Sequence, residues 1–398
     1  MRTTIDRYIL WELTRGFAIA LVLITVFLVL IGVLTEAVRM NLGLMPTLRL
    51  IPFVLPSSLA FAVPGTILFT VCLVYGRMGA DNEVVAVKAM GVSPLVLLWP
   101  AFMLAFLLSI VGVWLNDLAY SWGYLGMQRV VIQSAEEIAY GMLRTQGSYA
   151  SPRFSIVVKD VDERRLIRPI IHFQPSATGP VCTISAREAE LKSNLERNTL
   201  VLIMFDCEVD VAGARTVLPG RREQEIPLTL ASSKKGADGG EISPAHLPLS
   251  QISGETDKQL ALIRELEQSL AAESALALVT GELDSLSDAA WKPRRAHLAS
   301  AKLRLNRLRT EPCRRWAAGF SSLCFVMVGA PLAIWLRNSD VMSTFFRCFC
   351  PILLIYYPCF AFGLDQAKAG DVPPYTVWAG NLVLALIGLW LLRRVVKH

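Results

Sequence analysis

Six long apolar segments, separated by polar ones, dominate the pattern of the chain. Each lacks charged side chains for roughly the 20 residues that an α-helix needs to cross the hydrocarbon of a bilayer. Three lie near the N-terminus and three near the C-terminus, with a long polar region between the two groups. We therefore predict a helical membrane protein with six transmembrane helices in a 3+3 arrangement. The charge-free segments are residues 16–35, 50–76, 91–116, 316–336, 348–364 and 372–392.

The long polar region contains patterns typical of β-strands. In residues 154–158, apolar side chains stand at every second position, as on one face of a strand. Residues 170–173 and 199–205 are further runs rich in β-forming side chains, and residues 187–198 are expected to link them. We predict a soluble all-β domain over residues 141–252, inserted between the two groups of transmembrane helices.

A helical period returns after this domain. Apolar residues recur at spacings of three and four in two runs, and Gly281 and residues 284–288 mark the break between the runs. Such spacing is typical of two antiparallel helices in contact. We predict a helical hairpin over residues 255–310, before the fourth transmembrane helix, without any catalytic pattern. The recurring positions are Leu260, Ile263, Leu266, Leu270, Leu298, Ala301, Leu305 and Leu308.

The loop between the second and third apolar segments carries the signals of a short helix. Asp81 is a suitable N-cap residue, and Glu83 in the first turn suits the positive end of the helix dipole. Gly91 ends the apolar run, as glycine commonly does at a helix C-terminus. We predict a helix over residues 81–90 that lies flat between two transmembrane helices and can dock a soluble partner.

The placement of charges predicts the orientation of the helices. The chain is 54% hydrophobic and only 18% charged, so the few charges in short loops are informative. The termini and the loops on their side hold far more Lys and Arg than the short loops on the other side. The positive-inside rule then places both termini in the cytoplasm and the β-domain outside. The basic stretch at residues 294–315 runs against this rule, but long translocated domains largely escape it.

The sequence offers little catalytic chemistry. It lacks the G-x-x-x-x-G-K-[ST] and H-E-x-x-H patterns of P-loop ATPases and metalloproteases, and its four histidines are scattered. Asp117, at the edge of the third segment, is interpreted as a polar stop at the membrane interface. The nearly charge-free segments disfavour an ion-coupled carrier. We predict no catalytic residue, metal site, cofactor or nucleic-acid partner, so a partner protein must supply the energy for any transport.

Two features leave alternatives open. Cys182 and Cys207 either form a disulfide, if the β-domain lies in an oxidising compartment, or are two separate buried thiols. The second apolar segment contains Pro52, Pro56 and Pro64, which are expected to kink it, either as part of a moving helix or as a static bend.

Three motifs, in this order and within this arrangement of segments, resemble the lipopolysaccharide export permease family (LptF/LptG, also called YjgP/YjgQ). The first is L-P-S-S-L-A-F-A-V-P followed by Y-G-R-M-G-A-D-N-E-V-V-A-V-K-A-M-G-V-S, within residues 55–93. The second is T-E-P-C-R-R-W-A-A-G-F with V-G-A-P-L-A-I, within residues 310–334. The third is G-D-V-P-P-Y-T-V-W-A-G-N, at residues 370–381. The resemblance extends over residues 1–250 and 310–398.

The resemblance implies a permease subunit of an ABC-type exporter in the inner membrane of a Gram-negative bacterium. Two such permeases, identical or related, would sit on a dimer of cytoplasmic ABC ATPases. They would extract lipopolysaccharide and pass it, through a periplasmic β-jellyroll domain at residues 141–252, to a bridge protein of similar β-jellyroll domains. Residues 1–117 would hold transmembrane helices one to three, and residues 314–398 would hold helices four to six.

The resemblance also assigns the contact with the ATPase. In this family the glutamate of the short cytoplasmic helix engages the ATPase, and this role carries over to Glu83. Arg77 and Asp81 would lie beside it at the membrane face. The plainer interpretation of Glu83 is that it only complements the helix dipole.

Four arginines are candidates for binding the substrate. Arg39, Arg49, Arg314 and Arg315 flank the outer ends of transmembrane segments, at the height of the headgroups. Guanidinium groups suit the phosphates of an anionic glycolipid because they can bind them with two parallel hydrogen bonds. The alternative is interfacial anchoring by snorkelling, which any membrane protein shows.

Other functions remain possible at this point. One is a permease of the same build for another lipid or glycolipid, and another is a non-transporting membrane scaffold or sensor whose β-domain binds a partner. Two departures from the family pattern also stand out. The hairpin at residues 255–310 is longer than the usual linker, and Asp206-Cys207 stands where an Asp/Asn-Gly turn is expected.

Overall fold

A computed structural model of the chain gives the fold. It describes residues 2–40, 44–91, 93–150, 154–162, 164–173, 182–194, 199–211, 214–227, 243–281, 288–336 and 341–397. Helices make up most of these residues, and one antiparallel sheet is inserted among them.

The N-terminal part begins with five helices. A π-helical turn at Ala119–Gly123 joins the fourth helix to the fifth, so the third apolar segment continues without interruption into the polar region. The helices are α1 (Arg2–Met40), α2 (Leu44–Ala80), α3 (Glu83–Ala89), α4 (Pro94–Leu118) and α5 (Tyr124–Gln146).

The C-terminal part contains five more helices. A 3₁₀ turn at Pro244–His246 precedes the first of them, a π turn at Ile352–Tyr356 joins the third to the fourth, and a 3₁₀ turn at Pro374–Trp378 precedes the last. The helices are α6 (Leu249–Thr280), α7 (Asp288–Trp335), α8 (Val341–Pro351), α9 (Tyr357–Ala369) and α10 (Ala379–Lys397).

Six helical stretches are long and apolar enough to cross a membrane, and this confirms the predicted number. The fourth of them belongs to α7, which also forms the second helix of the predicted hairpin. That helix of the hairpin therefore continues into the transmembrane stretch without a break. The second, α2, remains helical through Pro52, Pro56 and Pro64. The stretches are Ile5–Val38, Met45–Ala80, Pro94–Met127, Trp291–Trp335, Met342–Ala369 and Pro374–Val395.

The chain divides into two compact units. The first, here called the membrane unit, consists of Met1–Val29, Leu55–Gly123 and Ala237–His398. The second, here called the sheet unit, consists of Leu30–Val54 and Tyr124–Gly236.

Small residues bring α4 and α7 close together in the membrane unit. A β-carbon added to Gly319 would lie 2.7 Å from the backbone nitrogen of Val113 and 3.0 Å from the carbonyl oxygen of Ser109. Glycine therefore allows the two backbones to touch, as small residues commonly do between transmembrane helices. The Ser109 hydroxyl accepts a hydrogen bond of 3.2 Å from the backbone N–H of Leu323 across this contact.

The helical hairpin also belongs to the membrane unit. Its first helix, α6, starts at Leu249, six residues before the predicted start at residue 255. Ile263 on α6 packs against Ala301 and Leu305 on α7, at the predicted spacing. The Gln259 amide donates a hydrogen bond of 3.1 Å to the carbonyl of Ala301, and outer ion pairs add to the contact. The predicted antiparallel pair of helices is thus observed.

The sheet unit contains eight strands among its described residues, all paired antiparallel. Strand β6 pairs with β5 and then β4 along one edge and with β7 along the other, and β7 pairs with β8. The predicted all-β insert is therefore confirmed. The strands are β1 (Ser148–Ala150), β2 (Phe154–Val157), β3 (Asp160–Asp162), β4 (Arg165–Ile167), β5 (Ile170–Phe173), β6 (Cys182–Asn194), β7 (Thr199–Val211) and β8 (Ala214–Pro227).

Helix α5 packs on one face of this sheet. The hydroxyl of Tyr140 donates to the carbonyl of Arg164 at 2.5 Å and accepts a hydrogen bond of 3.0 Å from the N–H of Leu191. The core beneath it is apolar and includes Leu143, Ile156, Leu166, Ile171, Leu191 and Leu202. One tyrosine thus ties the helix to strand β6 and to the turn before β4.

Residues 187–198, predicted to be a connection, are largely strand. The last eight residues of β6, up to Asn194, fall in this range, and residues 195–198 lie outside the described part. Ala189 and Leu191 face the core, while charged residues such as Glu188 occupy the other face. The outer face of such a sheet is exposed to water and tolerates charged residues. Because of these charges, the alternation of apolar and polar residues along β6 was not recognised in the sequence.

The unusual Asp206-Cys207 pair lies within a continuous strand. Asp206 has φ 50°, and the register shifts between Phe205 and Cys207, so the expected turn is replaced by a bulge. The Asp206 carboxylate accepts a hydrogen bond of 3.0 Å from the N–H of Gly220 on β8. Aspartate tolerates the left-handed conformation when its side chain bonds locally.

The proposed disulfide between Cys182 and Cys207 does not form. Cys207 is a free, buried thiol, and the strand register places it opposite Ala186. The same register places Cys182 opposite Val211, too far along the strands for an S–S bond. The side chain of Cys182 itself lies outside the described residues.

Candidate functional site

The short helix α3 differs at its start from the predicted helix over residues 81–90. It begins at Glu83, and Asn82, not Asp81, occupies the N-cap position. Asn82 has φ 57° and makes no side-chain capping bond, while the N–H of Asp81 still bonds to the carbonyl of Arg77 at 2.9 Å. Asp81 therefore closes the end of α2 and cannot cap α3.

The end of α3 follows the prediction more closely. Gly91 has φ 77°, and its N–H donates to the carbonyl of Lys88 at 2.9 Å. Glycine suits this left-handed position, which stops the helix. Ser93 then caps α4, whose first residue is Pro94, through a hydrogen bond of 3.4 Å from the N–H of Leu95.

Helix α3 has a fixed side and an open side. Val84 is 4% exposed and belongs to the same apolar cluster as Val395 near the end of α10. The amine of Lys88 donates a hydrogen bond of 3.2 Å to the carbonyl of Val395. On the open side, Val85 and Met90 are about half exposed. The helix is thus held against the membrane unit while it presents an apolar surface.

The predicted site residues around α3 have different surroundings. Arg77 forms an ion pair of 3.1 Å with Glu12 of α1. Glu83 is half-buried and Asp81 is exposed, and no hydrogen bond or ion pair reaches either carboxylate from the described residues. The start of α1, the α2–α4 connection and the end of α10 therefore meet at one end of the membrane unit, here called the α3 end.

A cluster of largely buried ions lies where the charge-free segment of α4 ends and that of α7 begins, away from the α3 end. Arg315 is fully buried and pairs with Asp117 of α4. It also donates hydrogen bonds of 2.7 and 3.1 Å to the carbonyls of Leu247 and Ala245. Asp117 accepts a further bond of 2.9 Å from the N–H of Leu249. Asp117 is therefore more than the polar stop that the sequence suggested.

The second arginine of the cluster is held by a different set of partners. Arg314 donates two hydrogen bonds, of 2.9 and 2.7 Å, to one carboxylate oxygen of Glu311, which is 2% exposed. Its guanidinium carbon lies 4.2 Å from the centre of the Tyr120 ring, within the range of a cation–π contact. We call Asp117, Glu311, Arg314 and Arg315 the ion cluster.

His246 sits beside the ion cluster, on the 3₁₀ turn that precedes α6. Burial lowers the pKa of His246, and a hydrogen bond to the backbone of Tyr120 and the charge of Glu311 partly oppose this effect. The positive charges of Arg314 and Arg315 act in the same direction as burial. The neutral imidazole is therefore the form that fits this position.

The other two predicted substrate residues belong to the sheet unit. Arg49, in the first turns of α2, is exposed, and no ion pair or hydrogen bond reaches it from the described residues. Arg39 lies in the last turn of α1, and its side chain is outside the described part. The structure thus brings Arg314 and Arg315 together in the membrane unit.

The third motif also has a structural explanation. Gly370 ends α9 with φ 94°, and a β-carbon there would collide with the amide of Asn306 on α7. The Asn381 amide of α10 donates a hydrogen bond of 2.8 Å to the carbonyl of Ala317. The motif therefore docks the last two transmembrane helices on α7.

The chemistry available in this arrangement is binding. No group of His, Cys, Asp and Glu side chains suitable for a metal ion occurs among the described residues. Sequence reasoning missed two residues, Lys88 and the paired Asp117. No sequence signal near Lys88 indicated its contact with α10. The contact of Asp117 could not be recognised because Arg315 lies 198 positions away.

The comparisons with known proteins agree with these three motifs. The family model described as lipopolysaccharide export system permease LptF/LptG matches residues 7–394, which include all three motifs and both units. A search among curated proteins found no significant match.

Proposed function

Because the chain belongs to the LptF/LptG family of lipopolysaccharide export permeases, we propose that it forms half of the membrane part of an ABC-type exporter. A dimer of cytoplasmic ABC ATPases drives it, and a second permease of the family, identical or related, completes the assembly. Lipopolysaccharide leaves the inner membrane and passes through the sheet unit to a periplasmic β-jellyroll bridge protein. Both termini and α3 then face the cytoplasm, and the sheet unit faces the periplasm.

The observation that carries this proposal is the open side of α3. Glu83 is a half-buried carboxylate without a partner among the described residues, and Val85 and Met90 beside it are exposed. Exposed apolar side chains suit the core of a protein interface, and a charged group beside them suits its polar rim, where it can pair with a charge of the partner. Arg77 and Asp81 lie at the edge of this surface and belong to the proposed contact with the ATPase.

Co-purification with the ATPase tests the docking role. We expect Glu83→Lys to lower the amount of bound ATPase by more than about tenfold, since reversing one charge of an interface pair is costly. The matched control is Glu265→Lys, which reverses an exposed charge on the hairpin. Undiminished ATPase binding and activity in Glu83→Lys would remove Glu83 from the interface.

For the substrate, we propose Arg49 and Arg39 as the first contacts with the phosphates of the glycolipid. The exposed Arg49 has a guanidinium group that is not used within the described residues. Arg314 is 12% exposed and remains a candidate at the edge of the ion cluster. The guanidinium group of Arg315 donates hydrogen bonds to groups within the chain. Its proposed role is therefore to hold Arg314 in place.

Site-specific crosslinking to lipopolysaccharide tests these contacts. Arg39→Glu and Arg49→Glu are expected to reduce crosslinking from neighbouring positions, because they place a negative charge against the phosphates. Arg264→Glu on the exposed face of α6 serves as the control. Unchanged crosslinking and transport in both variants would leave snorkelling as the role of these arginines.

The nature of the lipid needs a test in cells. Depletion of the protein is expected to trap lipopolysaccharide at the inner membrane. Accumulation of a different lipid there would favour a permease of the same build for another substrate. Normal lipid distribution together with the absence of a bound ATPase would favour a membrane scaffold.

A further inference from the structure

The contact between Lys88 and the end of α10 joins two elements that are far apart in the sequence. The Lys88 amine on α3 lies 3.2 Å from the carbonyl oxygen of Val395, and the bond spans 307 positions. Val395 lies in the last turn of α10, which ends at Lys397. Val84, one turn before Lys88 on α3, packs in the same apolar cluster as Val395.

This carbonyl is a strong acceptor for a cation. The last four carbonyls of a helix have no partner within the helix, and the negative end of the helix dipole lies there. A lysine amine that bonds to such a carbonyl caps the helix and gains from the dipole. Lys88 therefore links the end of α10, the last transmembrane helix, to α3. The opposite side of α3 is the exposed one.

Helix α10 in turn packs closely against α7. A β-carbon added to Gly388 would lie 2.8 Å from the carbonyl oxygen of Met327, so the two backbones nearly touch. The hydrogen bond from Asn381 to Ala317 adds a second link between the same helices. We expect a displacement of α10 to be passed on to α7, since densely packed contacts transmit strain.

We propose that Lys88 is a positioning residue that transmits the movement of α3 to the fourth and sixth transmembrane helices. Chain continuity already connects α3 to α2 and α4. Lys88 adds a route to α10 and α7, so a push on α3 displaces both groups of transmembrane helices together. This proposal rests on the docking of the ATPase at α3.

The first test separates ATP hydrolysis from transport. The complete complex with its ATPase is reconstituted in proteoliposomes, and lipopolysaccharide release per ATP hydrolysed is measured. We expect Lys88→Met to keep the bound ATPase and its hydrolysis, while release per ATP falls clearly, because α10 loses its polar link to α3. Lys88→Arg is expected to restore release because it keeps the charged donor.

The second test measures movement and does not need the variant to fold. Spin labels at Ala89 on α3 and Leu389 on α10, both exposed positions that are not among the proposed docking residues, report the distance between the two helices. In the otherwise native complex this distance should stay constant when ATP binds. A change of distance on ATP binding would show that α3 and α10 move separately, and would overturn the proposal.

The outcomes also distinguish this proposal from the docking proposal. Unchanged release per ATP in Lys88→Met overturns the role of Lys88. Loss of the ATPase from Lys88→Met overturns it too, since Lys88 would then belong to the docking surface. If the native chain carries no ATPase at all, the docking proposal itself fails, as the Glu83→Lys experiment would reveal independently.

Discussion

The two ends of the membrane unit hold their charges in opposite ways. In the ion cluster, Arg315 is fully buried, and its hydrogen bonds go to Asp117 and to two backbone carbonyls. At the α3 end, Arg77 and Glu12 form an ion pair in which both side chains remain partly exposed. Glu83 there has no partner among the described residues.

This difference distinguishes charges that stabilise the fold from charges that can bind another molecule. A buried ion that loses its partner is left in a medium that solvates it poorly, so such groups must stay paired. A charge at the surface gains little from a partner within the chain and can exchange it for another molecule. Arginines in a family motif can therefore serve the fold, while the Glu83 carboxylate at the other end stays available for the partner that we propose.

Removal of Arg315 is the change expected to have the largest effect. Arg315→Met leaves the buried carboxylate of Glu311, 3.9 Å from Arg315, and the partly exposed carboxylate of Asp117 with one cation fewer. We expect a loss of about 3 kcal/mol in the free energy of unfolding. Denaturation of the purified protein in mild detergent measures it. The control is Arg264→Met, which removes an exposed arginine of α6.

A double variant sharpens this prediction. In Asp117→Asn combined with Arg315→Met, the loss should be clearly smaller than the sum of the two single losses, because both residues belong to one network. Additive losses would mean that the pair contributes no coupling, and the ion cluster would then lose its structural role.

A buried hydrogen bond at the α3 end should have a smaller effect. The hydroxyl of Tyr75, which is 0% exposed, donates to the carbonyl of Leu97 on α4 at 2.7 Å. Tyr75→Phe is expected to cost about 1 kcal/mol of unfolding free energy, since the carbonyl loses a buried partner. A loss as large as that of Arg315→Met would contradict the contrast between a neutral bond and a buried ion.

His246 is expected to add a weak dependence on pH at the ion cluster. Its pKa in the folded protein lies below the ordinary value of 6.5, mainly because of burial. The neutral form thus stabilises the fold above pH 6.5, and this contribution is lost as the pH falls below that value. The native protein should lose thermal stability from pH 7.5 to 5.5 more steeply than His246→Gln does. Equal slopes would exclude His246 as the cause.

Sequence reasoning succeeded where the signal is local. The six apolar segments, the leucine spacing of the hairpin and the glycine at the end of α3 each depend on neighbouring residues, and all three are found in the structure. The predicted start of α3 at residue 81 was wrong because Asn82 adopts a left-handed conformation that the sequence does not reveal. Strand β6 was missed in part because charged residues on its outer face concealed the alternation.

The contact of Asp117 with the other members of the ion cluster could not be predicted, since it forms only through tertiary packing. Asp117 and Arg315 are 198 positions apart, and the carbonyls that complete the site come from a 3₁₀ turn with no motif of its own. The sequence predicted that Arg315 binds substrate because it lies at the end of a transmembrane segment, at the height of the lipid headgroups. Depth follows from hydropathy, but burial depends on which helices are neighbours.

The ion pair of Arg77 gives the smallest expected effect and the strictest test of the contrast. The side chains of Arg77 and Glu12 are 49% and 28% exposed, so water screens their attraction. Arg77→Met should therefore change the free energy of unfolding by no more than about 1 kcal/mol, against the several lost with Arg315. The same denaturation experiment measures both variants. If Arg77→Met were as destabilising as Arg315→Met, exposure would not separate the two kinds of charge, and the assignment of the α3 end to a partner would lose its basis. If instead its stability is native but its bound ATPase decreases, Arg77 contributes to docking beside Glu83.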